Sequence, residues 1–214
     1  MKDEIVIRNE TEKDYRIVET ITRDAFWNVN IPGCSEHYLA HIMRDHEDFI
    51  PELDFVITLN GSVIGNVMYA KAKLVDESGS QKEILTFGPV SIAPEFQRMG
   101  HGKALLEYSF RKALNLGYDT IVIFGDPNNY VSRGFKSCKK NNICVEGGVF
   151  PTAMFVKELL PGALDGRRYI YHESPVYNFN ESDAKEFDSG FEKKERLSLP
   201  CQEIFYILSH SSLN

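Results

Sequence analysis

The stretch APEFQRMGHGKALL, residues 93–106, decides which fold this chain adopts. Gly100 and Gly102 flank His101 in front of an apolar run with helical spacing, and a β-rich run precedes the stretch. The first N–H groups of a helix have no intrahelical partners and carry partial positive charge. Glycine lacks a Cβ atom, so a ligand can approach the backbone closely. We therefore interpret residues 97–103 as a cradle for a pyrophosphate group.

Two widespread phosphate-binding patterns do not match this stretch. A P-loop ends in Gly-Lys-Ser/Thr, whereas Ala104 follows Gly102-Lys103 and supplies no hydroxyl for magnesium. A Rossmann fingerprint has a third glycine at the position where Leu105 stands. Arg98 and Lys103 can still add positive charge at the rim of the cradle. On the motif alone, a glycine-rich strand-to-helix turn without a ligand remains the alternative.

Composition narrows the functional classes. The chain has 214 residues, of which 43% are hydrophobic and 26% charged, which is typical of one globular domain. Its formal net charge of −7 argues against broad nucleic-acid binding, because an acidic chain repels phosphate backbones. The sequence shows no membrane-spanning apolar run, no signal peptide and no CxxC or zinc-type cysteine spacing. We therefore expect a cytoplasmic protein with reduced thiols, without a nucleic-acid partner, a membrane partner or a metal.

Turn signals divide the first half of the chain into strands and helices. A short first strand is expected at residues 5–7, and helices are expected after Thr11 and Ser35. Asn60-Gly61 separates two β-rich runs and predicts a hairpin. The next β-rich run contains Gly88-Pro89, and because proline donates no ladder hydrogen bond, the strand should bulge or leave a neighbour there. The first helix should place four apolar residues near one face: Ile17, Ile21, Ala25 and Phe26.

The second half begins with the helix that follows the glycine motif. Its buried face should hold Leu106, Phe110, Ala113 and Leu114. A buried strand at 120–124 comes next, so the order strand, helix, strand predicts a right-handed crossover and a parallel pair. A late strand is expected at 153–159. We predict one domain over residues 1–160 and a C-terminal extension over 161–214 that packs on the domain or on a partner subunit.

Two motifs at a fixed spacing carry a family resemblance. The first is Gln/Arg-x-x-Gly-x-Gly/Ala at a helix start, after a strand that ends in x-V-x-P. Its places are filled by Ile92, Pro94, Gln97, Gly100 and Gly102. The second is a tyrosine four residues before Gly-Phe, filled by Tyr130, Gly134 and Phe135. Both motifs resemble those of the GNAT superfamily of acetyl-CoA-dependent N-acetyltransferases, and residues 1–164 resemble its YhbS-type branch of predicted bacterial N-acetyltransferases.

The resemblance implies a fold and a co-substrate. The fold is of the α/β class (mixed α+β), with a central mixed sheet flanked by helices and a splayed parallel strand pair. The co-substrate is acetyl-CoA, which an amine attacks directly, without an acyl-enzyme. The backbone of Val90, Ser91 and Ile92 would pair with pantetheine, and one N–H there would polarise the acetyl carbonyl. Further cofactor contacts are implied for Gln97, Arg98, Met99, Gly100, His101, Gly102 and Lys103.

The resemblance and side-chain chemistry together indicate the acid–base residues. Tyrosine is protonated at neutral pH, so Tyr130 is the candidate general acid that protonates the leaving thiolate. Glu83 is the candidate base, and Glu36, His37, His41 and water are alternatives. We expect the histidines at the surface or in the acceptor site, not as metal ligands. The acceptor is expected to be a small-molecule or peptide amine, and a homodimer is compatible with the sequence. The competing function is a non-catalytic acyl-CoA-binding sensor or partner module.

Two positions depart from the family pattern. Ile123 stands where many members have asparagine, seven residues before the tyrosine, and Asn128 or Asn129 would take over its contact with the cofactor. Arg133 gives SRGF where the YhbS-type branch usually has RFGF. Both departures concern local cofactor contacts and leave the expected fold unchanged.

Overall fold

The apolar runs assemble into one mixed sheet, which a computed structural model describes for residues 3–214. Within that range the strands are β1 (Ile5–Asn9), β2 (Phe55–Leu59), β3 (Ser62–Asp76), β4 (Gln81–Ile92), β5 (Thr120–Phe124), β6 (Lys136–Ser137), β7 (Ile143–Cys144), β8 (Met154–Glu158) and β9 (Tyr169–His172). The α-helices there are α1 (Tyr15–Phe26), α2 (Glu36–Met43), α3 (His101–Asn115), α4 (Pro127–Tyr130), α5 (Glu181–Asp188) and α6 (Pro200–Ser209).

The strand pairing confirms the predicted fold class. The order is β1-β2-β3-β4-β5-β8-β6, and β9 pairs with both β3 and β7. The β4–β5 pair is parallel and α3 connects the two strands, which confirms the predicted parallel pair. The β7–β9 pair is also parallel, and the other pairs are antiparallel. The Asn60-Gly61 hairpin is confirmed too, because its φ angles of 51° and 84° are those of a tight hairpin turn.

Helices cover both faces of the sheet. On one face, Leu105 and Phe110 of α3 pack in a cluster with Phe55 of β2. On the other face, Met43 of α2 packs against Met68 of β3. The site described below therefore lies in a sheet that is held from both sides.

Two predicted core positions of these helices are wrong. The side chains of Ile17 and Leu114 are exposed, with relative accessibilities of 42% and 39%. In α1 the buried stripe runs instead through Val18, Ile21 and Thr22. The spacing of apolar residues predicted the wrong buried face for α1 because one residue of the buried face, Thr22, is polar and hydropathy does not identify it as a core residue.

β4 bulges at Gly88-Pro89, as the sequence predicted. The peptide bond between these residues is cis. The register of β4 against β3 shifts between Val67 and Tyr69, opposite this point. Among the described residues, Leu85 with Ile121 is the single β4–β5 pair. The two strands therefore diverge beyond Leu85 and leave an opening, here called the strand gap, that continues toward the start of α3.

The end of the chain returns to the sheet, which the sequence did not predict. Tyr169–His172 form β9, and Lys73 of β3 lies opposite His172. A 3-10 helix over Pro175–Tyr177 follows and packs Val176 in a cluster with Met43 of α2. Residues 169–177 are therefore part of the sheet and of its helical cover.

The helix α5 is anchored to α1 and α2 by one carboxylate. Asp188 Oδ1 accepts a hydrogen bond from the buried Arg23 Nε at 2.6 Å. The same oxygen lies 3.2 Å from Nε2 of the buried His37. The rings of Phe187 and Phe191 lie 5.6 Å and 5.1 Å from the His37 ring.

The final helix, α6, leaves a set of apolar side chains exposed: Ile204, Phe205, Tyr206 and Ile207.

A buried ion network joins the first elements of the chain. Arg44 donates to both carboxylate oxygens of Glu10 and to Glu19 Oε1, each at 2.9 Å. The Arg44 side chain is 5% exposed, and those of Glu10 and Glu19 are 0% and 6% exposed. Burial and the neighbouring Glu10 raise the pKa of Asp54 well above its usual range, so this carboxyl is protonated at neutral pH.

Candidate active site

The strand gap exposes backbone groups of β4. The N–H of Ala93 donates to the carbonyl of Ile64 at 2.8 Å, which fixes the alternation of the antiparallel β3–β4 ladder. Ser91, two residues earlier, also directs its backbone groups toward β3. Those of Val90 and Ile92 face the opposite way, into the gap. Ser91 was expected to pair with a ligand as well, but the sheet already uses its N–H and carbonyl.

The side chain of Ser91 lies in a buried polar network instead. Its hydroxyl is hydrogen-bonded to Asn66 Oδ1 and lies 3.1 Å from Thr22 Oγ1. Thr22 belongs to α1 and Asn66 to β3, so the network ties this helix to the sheet behind the strand gap.

The loop after β4 presents a row of free donors. The six backbone N–H groups from Arg98 to Lys103, here called the N–H loop, donate no hydrogen bond to any residue of 3–214. Arg98 and Gly100 have left-handed φ angles of 61° and 92°, which turn successive N–H groups toward one side. A Cβ atom at Gly100 would meet nothing within 4 Å. The N–H loop therefore offers an open, positively polarised concavity at the start of α3.

The side chains of the N–H loop leave this concavity open. Met99 is 65% exposed. Lys103 makes a long contact of 3.7 Å with Glu107, and both side chains are exposed. The His101 ring rests edge-on against Phe96, with 6.5 Å between ring centroids. None of these contacts covers the backbone donors.

Gln97 links the N–H loop to the strand gap. Its Nε2 donates to the carbonyl of Ile92 at 3.0 Å. This bond satisfies a backbone acceptor that faces the gap and leaves the N–H of Ile92 as the free partner for a ligand.

Tyr130 borders the strand gap on the β5 side. Its ring packs between Phe87 of β4 and Phe135, with centroid distances of 5.9 Å and 5.5 Å. A Cβ atom at Gly125 would collide with the ring, so this close approach requires glycine. Burial raises the pKa of Tyr130 to about 12. The hydroxyl is therefore protonated at neutral pH and can act as a proton donor.

Glu83 lies away from the strand gap. Its carboxylate accepts a hydrogen bond from the Tyr118 hydroxyl at 3.2 Å, beyond the end of α3. Glu83 also precedes Leu85, the residue at which β4 is still paired with β5. The structure does not bring this expected base together with Tyr130.

The alternative bases on α2 are engaged elsewhere. Glu36 accepts hydrogen bonds from Asn30 Nδ2 and from the N–H of Ser35, both at 3.0 Å. His41 Nδ1 lies 3.0 Å from Glu19 Oε1, in the buried ion network. His37 is fully buried against α5, and burial lowers its pKa to about 4. The expectation of a surface or acceptor-site position is therefore wrong for His37.

The residues that depart from the family pattern lie in three different environments. Ile123 is buried in the core cluster beside α3. Asn128 and Asn129 are exposed on α4, and the N–H of Asn128 donates to Asp126 Oδ1 at 2.8 Å. Arg133 donates to the carbonyl of Asn129 and so braces the turn that carries Tyr130.

Sequence reasoning missed a polar cluster that the end of the chain brings to β4. The Tyr177 hydroxyl donates to the carbonyl of Gly88, where β4 bends, at 3.1 Å. Tyr171, Glu173 and Thr86 complete the cluster. Their sequence neighbourhood, YHESPVY, carries no motif, so nothing local marked these residues as part of a site.

Residues 3–214 contain neither a side-chain cluster suited to a metal ion nor a helix suited to crossing a membrane. Across residues 3–214, no three His, Cys, Asp or Glu side chains converge as a metal site would require. No helix in the same range combines the length and apolar character needed to traverse a bilayer.

The family follows from comparison with known proteins. The profile described as Acetyltransferase (GNAT) family matches residues 19–137, more than half of the chain. The chain belongs to the GNAT acetyltransferase family. This match includes β4, the N–H loop, α3, β5 and Tyr130, so the GNAT core coincides with the strand gap and its borders.

Relatives and solved structures agree with this GNAT assignment. The uncharacterized N-acetyltransferase YhbS of Escherichia coli K12 is 26% identical over 153 residues, 70% of this chain and 89% of that one. YjhQ of the same organism is 25% identical over 100 residues, and the match spans 54% of its length.

Two crystal structures share the fold. The E. coli YhbS structure in complex with CoA has a TM-score of 0.71 at 22% identity, covering 84% of this chain and 94% of that chain. A Brucella melitensis GNAT acetyltransferase in complex with acetyl-CoA has a TM-score of 0.63 at 20% identity, covering 81% and 98%. The resemblance to the YhbS type is therefore confirmed in sequence and in fold.

Proposed function

We propose that this GNAT protein moves the acetyl group of acetyl-CoA to a primary amine. The observation that carries the proposal is the strand gap, with the N–H loop at one end and the ring of Tyr130 packed against Phe87 of β4 at the other. The proposal is supported by the CoA and acetyl-CoA complexes of the two structural neighbours. The acceptor is a small-molecule or peptide amine.

The donor half of the site fits acetyl-CoA. The free N–H groups of Arg98 to Lys103 suit a pyrophosphate, and the open space at Gly100 lets it approach. The gap-facing N–H groups of Val90 and Ile92 suit an extended pantetheine arm that pairs like a strand. When bound, acetyl-CoA supplies an activated acetyl group.

Two groups of the chain would assist the transfer. A gap-facing N–H of β4 polarises the acetyl carbonyl and stabilises the negative charge that develops on its oxygen. Tyr130 donates its proton to the thiolate that departs. The acceptor amine attacks the carbonyl carbon directly, so no covalent enzyme intermediate is needed.

Calorimetric titration with acetyl-CoA tests the donor site. Gly102 has ordinary helical geometry, and a Cβ there would lie 3.5 Å from Ile92 Cγ1, so Gly102→Glu is sterically tolerated. Its carboxylate would repel pyrophosphate, and we expect affinity to fall at least tenfold. Arg111→Glu, on the exposed side of the same helix, is the control for charge. Equal binding by wild type and Gly102→Glu would contradict the assignment.

Turnover with an amine panel tests the transfer itself. The panel is spermidine, lysine, kanamycin and a peptide with a free N-terminus, each incubated with acetyl-CoA. Acetylation of one of them supports the enzyme. Tight acetyl-CoA binding without acetylation of any of them favours the competing function, a non-catalytic acyl-CoA-binding module.

Two expectations from the sequence stay predictions. Sedimentation equilibrium over a range of concentrations tests the homodimer, for which the exposed apolar side chains of α6 provide a surface. Fractionation of cells that express the native gene tests the cytoplasmic location.

A further inference from the structure

The C-terminal segment over residues 169–179 reaches the strand gap from the side opposite α3. β9 extends the sheet beside β3, and the 3-10 helix Pro175–Tyr177 then crosses toward the bend in β4. Tyr177 marks the point of arrival, because its hydroxyl donates to the carbonyl of Gly88 at 3.1 Å. Its ring also lies within 4 Å of the place where a Gly88 side chain would stand.

The polar groups of this segment surround Thr86 of β4. Thr86 lies between Leu85 and Phe87, which face the α3 side, so it points to the opposite face. Tyr171 and Tyr177 both lie beside Thr86. The Tyr171 hydroxyl is buried and makes no hydrogen bond to the part of the chain that the structure describes.

Glu173 is the carboxylate of this cluster. Glu173 follows Tyr171 by two positions, so in an extended chain the two side chains lie on the same side. Glu173 forms no ion pair with any residue of 3–214. Asp48, a second carboxylate near this segment, accepts a hydrogen bond from Ser174 Oγ at 2.7 Å. One side of Glu173 stays open to solvent, so a ligand can reach it.

The environment of Glu173 suits proton transfer at neutral pH. Burial raises the pKa of Glu173 to about 7, although the proximity of the Tyr171 hydroxyl acts in the opposite direction. The titratable groups that face it are Tyr171 of β9 and Tyr177 of the 3-10 helix. Tyr130 lies near Tyr177, and β4 contributes the uncharged Thr86. A base with a pKa near the working pH is the most effective.

We infer that Glu173 is the general base of the proposed transferase, and that residues 169–179 form its acceptor side. The inference rests on the proposed function and names a base that neither the GNAT match over 19–137 nor the motifs contain. Glu173, Tyr171 and Tyr177 would receive a protonated amine opposite the N–H loop, so donor and acceptor meet at the bend of β4.

The proposed transfer begins with removal of a proton from the amine. The amine arrives as R–NH3+, and Glu173 takes one proton and releases it to solvent. The nitrogen lone pair forms a C–N bond to the acetyl carbon, and the carbonyl π electrons move to oxygen. When the C=O bond forms again, the C–S bond breaks and its electron pair leaves with sulfur, which Tyr130 protonates. The second proton lost by nitrogen restores Tyr130 through water, so each transfer releases one proton.

Glu173→Gln tests the base in the full-length chain, with the panel amine that wild type acetylates fastest. We expect kcat to fall by about 10²- to 10⁴-fold, the usual range for a general base, with the acetyl-CoA affinity within twofold of wild type. The acid limb of the wild-type kcat/KM profile should be absent from the variant. Glu181→Gln, at an exposed position at the start of α5, is the matched control and should keep both rate and profile.

A second variant separates catalysis from folding. Glu173→Ala leaves room for formate, and added formate should restore part of the lost rate if the carboxylate acts on a proton. An unchanged rate and acid limb in Glu173→Gln would overturn the base while leaving the transferase intact. Wild type that binds acetyl-CoA but acetylates no amine would overturn the proposed function, and this inference with it.

Discussion

The hydroxyl of Tyr130 is the smallest unit on which the proposed chemistry depends. Tyr130→Phe removes the proton donor but keeps the ring between Phe87 and Phe135. We expect kcat to fall by about 10²- to 10⁴-fold, because an expelled thiolate would be protonated only by water. Acetyl-CoA affinity, measured by calorimetry, should stay within about twofold. Tyr118→Phe, which removes the hydroxyl bound to Glu83, is the control and should retain the rate. A fully active Tyr130→Phe would leave the tyrosine a packing role alone.

Gly65 is a single residue on which the geometry of β4 depends. A Cβ atom there would lie 2.5 Å from the carbonyl oxygen of Ser91 and would collide with the side chain of Ile92. Gly65→Ala should therefore push β4 away from β3 and lower the free energy of unfolding by about 1–3 kcal/mol, the range for overpacking. Urea denaturation measures this loss.

Gly102→Ala is the matched substitution for comparison. Its Cβ would meet Ile92 Cγ1 at 3.5 Å, an ordinary contact, and alanine favours a helix over glycine. We expect its stability to equal or exceed that of wild type. Equal losses in the two alanine variants would contradict the close approach at Gly65.

The buried ion network shows what holds the first helices on the sheet. Arg44→Met leaves Glu10 and Glu19 buried without a cation, beside Asp54. We expect the free energy of unfolding to fall by about 3–5 kcal/mol, because an uncompensated buried charge is strongly destabilising. Lys103→Met breaks an exposed pair instead and should cost less than about 1 kcal/mol. A small loss in Arg44→Met would show that water reaches the two glutamates.

The attachment of α5 to α2 should respond to pH through His37. Burial holds its pKa at about 4 in the folded state, below its value in the unfolded chain. Between these two values the unfolded state binds more protons, so stability is full at neutral pH and falls as pH drops from about 6.5 toward 4. The slope attributable to His37 is at most about 1.4 kcal/mol per pH unit.

Denaturation at several pH values measures that slope in wild type and in His37→Gln. The variant should lose a large part of the pH dependence in this window. His210→Gln removes a histidine from the exposed end of α6, away from α5, and should keep the wild-type slope. A wild-type slope in His37→Gln would assign the acid sensitivity to other groups.

At the scale of the whole molecule, local chemistry explains what the sequence could predict. Gly88-Pro89 marked the bulge in β4 because proline cannot donate to a ladder, and Asn60-Gly61 marked its hairpin because few residues adopt those angles. The start of α3 was likewise evident from its glycines. Each of these signals depends on residues adjacent in sequence, and each was confirmed.

The acceptor side could not be predicted, because it depends on contacts between distant parts of the chain. Glu173 and Tyr177 reach β4 only because β9 pairs with β3. The sequence of β9, YIYH, is too short and its neighbours are too polar to indicate a strand. Whether the backbone groups of Ser91 face β3 or the gap depends on the register between β3 and β4, and the sequence alone does not give that register. Glu83 looked suitable from its strand, but the pairing of Leu85 with Ile121 places it on the closed side of the gap.

The pairing of Lys73 with His172 has a consequence for synthesis on the ribosome. Until codon 172 has been translated and its residue has left the exit tunnel, the outer edge of β3 at residues 73–76 has no partner. An open strand edge is a template for pairing with another chain. The nascent protein therefore carries an unpaired β3 edge while residues 77–172 are being synthesised, and the closing strand arrives together with the segment assigned to the acceptor.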